Sequence, residues 1–158
     1  MDEKKLQQAQ KMFATVRGIL DEKKVSYEVP KEFTVEYAGA GDDLPISFRV
    51  IVDAERMLIV LYSVLPFRFP EDKIIDAALA TVLINDDLVD GSFDLDIEDG
   101  TVCFRQTNTY CESLISAEAV SFMMDLAIHM VDLFNDKLYV LAKGMVNLQQ
   151  FAESLSNQ

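Results

Sequence analysis

Residues 91–105, GSFDLDIEDGTVCFR, constrain the fold more than any other stretch. Phe93, Leu95 and Ile97 alternate with Asp94, Asp96 and Glu98, the period of a half-buried strand. Asp99-Gly100 follows, and a dipeptide whose residues both tolerate positive φ is the strongest short hairpin signal. With these two as the loop, counting pairs Glu98 with Thr101, Ile97 with Val102, Asp96 with Cys103, Leu95 with Phe104 and Asp94 with Arg105. Each apolar residue then meets an apolar one, and Asp94 gains a cross-strand cation. The same acidic cluster could be a calcium loop. Counted from Asp94, however, the sixth position is Asp99 and the twelfth is Arg105, where an EF-hand loop needs Gly and Glu. The stretch is therefore a turn, which commits this part of the chain to antiparallel sheet.

The period changes along the rest of the chain. In the first 25 residues Leu6, Ala9, Met12, Phe13, Val16, Ile19 and Leu20 recur at helical spacing. Phe33, Val35 and Tyr37 then alternate with polar residues, as do Ile46, Phe48, Val50 and Val52. MLIVLYSVL at 57–65 is apolar on both faces and reads as a central strand covered on both sides. Pro70, Glu71 and Asp72 start a second helix, with Ile74, Ile75, Ala78, Leu79, Val82 and Leu83 as its buried stripe and Asn85 near its end. Ser116 caps a long last helix. There Val120, Met123, Ala127, Met130, Val131, Phe134, Leu138 and Leu141 lie opposite a narrow polar strip. Phe122, Met124, Leu126, Ile128 and Leu133 flank that apolar arc and make it wider than one buried face requires. Lys143-Gly144 ends or bends the helix, and a shorter one is expected at 145–155.

The expected architecture is α+β: an antiparallel sheet of about five strands with helices packed on one face, ordered α-β-β-β-α-β-β-α. A single domain is expected over residues 1–158.

Few residues suggest chemistry. Asp125, His129 and Asp132 share one helix face and could hold a metal, but this is the only His and the strip is solvated. A metal- or small-ligand-dependent sensor or enzyme on that face is the alternative reading. Cys103 and Cys111 fit no common zinc spacing and read as reduced thiols. No phosphate-cradling loop is present: AGAG at 38–41 has the wrong spacing and leads into a strand. No catalytic residue, cofactor or metal ligand is assigned. The net charge of −13 argues against nucleic-acid binding, which needs clustered Lys and Arg. No apolar run reaches the ~20 residues of a membrane helix, and the charged N-terminus has no signal-peptide core. A cytoplasmic location follows as an expectation.

The segment PFRFPEDKIIDAALATVLINDDLVDGSFDLDIEDGTVCFR, residues 66–105, resembles the YbjN-like family, which shares the fold of type III secretion chaperones. The likeness lies in the proline-led helix, Asn85, Gly91-Ser92-Phe93 at a strand start, and Glu98-Asp99-Gly100 leading into Val102 to Arg105. The resemblance implies a small acidic protein, usually dimeric, that binds other proteins and is not an enzyme. Its members are described as bacterial sensory-transduction regulators, and secretion chaperones hold extended segments of their clients. The expectation is a homodimeric, chaperone-like or regulatory protein-binding module. Its partner surface is expected at Phe67 and Phe69, in the strand-to-helix connection, and at Phe122, Met124, Leu126, Ile128 and Leu133, with edge-strand pairing contributing affinity.

Overall fold

The computed structural model describes residues 2–39, 41–42, 44–111 and 114–156. A long helix, α1 (Glu3–Glu22), opens the chain. Asp2 caps it by accepting the Lys4 backbone N–H at 2.9 Å. Four strands follow: β1 (Tyr27–Lys31), β2 (Thr34–Gly39), β3 (Ile46–Asp53) and β4 (Leu58–Arg68). A turn of 3₁₀ helix at Glu71–Lys73 leads into α2 (Ile74–Asp87). Then come β5 (Ser92–Leu95), β6 (Thr101–Thr109), α3 (Ala117–Ala142) and α4 (Leu148–Leu155). All six strands form one antiparallel sheet in the order β1-β2-β3-β4-β6-β5.

The α+β architecture follows the sequence pattern, with six strands in place of about five. The extra strand is β1, whose Pro30 cannot donate to a ladder and so obscures the strand pattern. Phe33, expected in the first strand (here β2), instead occupies the turn between β1 and β2 at φ +59, with its ring edge-on to Phe13 at 5.7 Å.

The helices lie on one face of the sheet. Val35, Tyr37, Phe48, Val50, Ile59, Leu61, Phe93, Val102 and Phe104 point toward them and are buried. From above come Met12 and Val16 of α1, Ala77 and Ile84 of α2, Met123, Val131 and Leu138 of α3, and Phe151 of α4. β4 departs from expectation. Its buried residues alternate, Ile59, Leu61, Ser63 and Leu65, while Val60 and Tyr62 are half-buried and Val64 is exposed. The strand is central but covered on one side only, because every helix packs on the same face. Its second set of apolar side chains lines an open sheet surface.

The hairpin also differs from the counted register. Leu95 faces Val102, Asp94 faces Cys103 and Phe93 faces Phe104, two residues from the expected pairing. The loop has four residues, Ile97 to Gly100, closed by the Gly100 N–H on Asp96 O and the Asp96 N–H on Thr101 O. A shift of two preserves which side chains face the core, since the strand period is two. Only Ile97 changes environment, and it is 69% exposed. The loop is fixed from outside the hairpin. The Gly100 carbonyl accepts the Phe69 N–H at 2.9 Å, and a Cβ on Gly100, at φ +74, would stand 2.1 Å from the Phe69 carbonyl oxygen. Glycine is required here by both conformation and space.

Candidate interaction surface

The acidic turn residues act as structural groups. Asp96 accepts the Glu98 N–H and Asp99 accepts the Thr101 N–H, each at 2.9 Å. Asp99 also pairs with Arg68 at 3.2 Å. Hydrogen bonding from Thr101 holds the Asp99 carboxyl below its ordinary range, with Arg68 adding to the effect. Asp94 accepts from Arg105 Nε at 2.6 Å, so the expected cation arrives as a diagonal neighbour.

The Asp125, His129 and Asp132 face is likewise committed. Lys23, the residue that caps the C-terminus of α1, donates to Asp125 at 2.7 Å. Asp132 accepts the Asp42 N–H at 2.9 Å, and His129 is solvent-exposed. Among the described residues no three His, Cys, Asp or Glu side chains are grouped so as to hold a metal. Cys103 faces the open side of the sheet half-buried, and burial, reinforced by Asp94, pushes its thiol up to about 11. Cys111 is exposed.

The expected partner surface is divided by the fold. Phe69 is 2% exposed and Met124 3%, so both belong to the core and offer nothing to a partner. Phe67 folds back edge-on to Tyr139 of α3 at 5.4 Å. Leu126, Ile128 and Leu133 are half-buried, and only Phe122 stands in solvent. The wide apolar arc of α3 is largely satisfied within the chain, because α3 packs on the sheet, on α1, on α2 and on α4.

A run of neighbouring exposed apolar side chains lies on α2 instead. The stripe expected to be buried there is the one facing out. Ile75 is 75% exposed, Val82 64%, Leu79 46% and Leu83 38%, whereas Ala77, Ala80, Thr81 and Ile84 face the core. The helix is apolar nearly all round, so periodicity cannot select its buried face. Packing selects it: the small residues Ala77, Ala80 and Thr81 let the helix sit close to β5 and α3. The nine residues Ala77 to Asn85 carry no charge. Acidic side chains gather at both ends, Glu71, Asp72 and Asp76 before them and Asp86 and Asp87 after. Roughly 400 Å² of apolar area is exposed by these four side chains, within the range of the largest patch on an ordinary single chain, a patch that is often functional.

Both edges of the sheet are blocked. β1 carries Pro30 and an irregular register between Glu28 and Lys31. β5 is four residues long, and the Asn85 side chain occupies the outward-facing N–H and C=O of Phe93. Strand addition is therefore disfavoured.

The YbjN family model, described as "Putative bacterial sensory transduction regulator", matches residues 13–139. A crystal structure of YbjN from E. coli, titled "a putative transcription regulator", superposes with a TM-score of 0.63 at 12% identity. The match covers 83% of this chain and 92% of that one, which shows a shared fold. No curated protein matches the sequence. Among the described residues no helix is long and apolar enough to cross a membrane.

Proposed function

The chain belongs to the YbjN family, and on that footing we propose that it is a non-enzymatic regulatory module that binds proteins and acts as a homodimer through α2. The observation that carries this reading is the uncharged, exposed stripe Ile75, Leu79, Val82 and Leu83. Two copies bury at most roughly 800 Å² of apolar area between their stripes. With the polar rim this reaches the ~1,200 Å² at which specific interfaces begin. Ile75, Leu79 and Leu83 form an i±4 ridge, which packs against its own copy at a crossing angle of about −50°. Such a crossing brings the uncharged centres together and carries the acidic ends apart, which a net charge of −13 requires. Regulation by protein binding also accords with the family description.

Light scattering across a concentration series tests the homodimer. The expected result is a mass near twice 17.8 kDa. A monomer mass at high concentration contradicts it.

A further inference from the structure

The face of the sheet opposite the helices carries one rank of side chains across all six strands: Glu28, Glu36, Arg49, Tyr62, Arg105 and Ser92, each the register partner of the next. Arg49 pairs with Glu36 (Nε to Oε1 2.6 Å), and Arg105 pairs with Asp94. Glu28 faces Glu36 directly and has no ion-pair partner among the described residues. Like charges opposite one another on a sheet are unfavourable, so the β1 end of this rank holds one surplus negative charge. Along the rank runs an open groove of about 830 Å³, floored by Ala38, Ile51, Tyr62 and Val64.

We propose that this groove is a second interaction surface, taking a segment of a partner protein that carries a Lys or Arg beside apolar or aromatic side chains. The proposal rests on the reading of the chain as a protein-binding module. The apolar floor and the Tyr62 ring receive the apolar side chains. The cation offsets the negative charge that Arg49, already paired with Glu36, leaves over at Glu28. A small ligand fits less well, because such ligands are usually enclosed over most of their surface and this groove is an open trough. From β1 to β4 it spans three strand spacings, ~14 Å, enough for several residues of a peptide. The blocked sheet edges leave recognition to side chains on the face.

The probe is a displayed library of random dodecapeptides selected on the full chain, with the selected peptides then titrated. We expect Lys or Arg next to apolar residues in the selected set. Affinity should fall tenfold or more on Tyr62→Ser and on Glu28→Lys, both surface changes whose folding a thermal melt verifies, and should be unchanged on Val89→Asp, a change at a fully solvated position. Peptides that lose binding on Leu79→Asp but not on Tyr62→Ser overturn the groove while leaving the module reading intact. An empty selection, or peptides without a basic residue, also overturns it. The mass of the unliganded protein reports separately on the homodimer.

Discussion

Asn85, near the end of α2, and Phe93, in β5, are joined by two hydrogen bonds: Asn85 Nδ2 donates to Phe93 O at 2.9 Å, and the Phe93 N–H donates to Asn85 Oδ1 at 2.8 Å. The amide side chain stands where a neighbouring strand would pair. It fastens the helix to the sheet edge and removes that edge from reach of other chains. The ring of Phe93 is held on the inner side by Phe104 and Phe134, with centroids 5.2 and 5.6 Å away. Asn85→Ala removes both bonds and should destabilise the fold by about 2–3 kcal/mol. Asn85→Asp should cost a similar amount, because it cannot donate to Phe93 O. Urea unfolding measures both. A change below about 0.5 kcal/mol in either would show that the contact contributes nothing.

Two glycines predict opposite outcomes. Gly18 lies inside α1, and a Cβ added there would meet no atom within 4 Å. Gly18→Ala should stabilise the protein by about 0.5–1 kcal/mol. Gly100→Ala places a methyl group against the Phe69 carbonyl in a left-handed turn and should cost at least about 2 kcal/mol. Thermal melts of the two variants should move in opposite directions.

Much of the fold was legible because the signals were local. Ser116 does cap α3, its oxygen accepting the Ala119 N–H at 3.2 Å. Lys143-Gly144 does end the helix, and α4 falls within the expected 145–155. Asn85 and Phe93 were visible as family positions, but their contact spans a loop, and spacing does not reveal it. The orientation of α2 was illegible for a different reason. A helix with Ile, Leu, Val and Ala on every side has no single apolar stripe, so only tertiary packing decides which side is buried. The same holds for β4, whose doubly apolar sequence suits a covered strand as well as a strand lining an open groove. The sequence points to a partner surface on α3, with Phe67 and Phe69, because the apolar arc of α3 is wider than one buried face needs. The α1–α3 contact, tied by Lys23 and Asp125, could not be read from either helix alone.

The cysteines should differ in reactivity. Cys111 is exposed, whereas burial raises the Cys103 thiol from its ordinary 9.0 to about 11. Iodoacetamide should label Cys111 first at pH 8, with Cys103 following only near pH 11. The linked stability has the matching sign. A raised thiol means that the folded state holds its proton longer, so stability is full below pH 9.0 and falls as pH rises toward 11. Equal labelling rates at pH 8 would contradict this placement.

Zinc and manganese should leave the melting temperature unchanged, and His129→Ala should make no difference to that result. The Lys23 ion pair on Asp125 and the backbone bond on Asp132 already engage the carboxylates a metal would need. A thermal shift with either metal, abolished by His129→Ala, would revive the metal reading.

The proposed self-association runs through α2 and not through α3. Sedimentation equilibrium of Leu79→Asp beside Phe122→Asp separates the two helices, since both side chains are exposed and each variant adds one charge. Leu79→Asp should be a folded monomer and Phe122→Asp a dimer. A dimer that survives Leu79→Asp, or is lost in Phe122→Asp, contradicts the assignment.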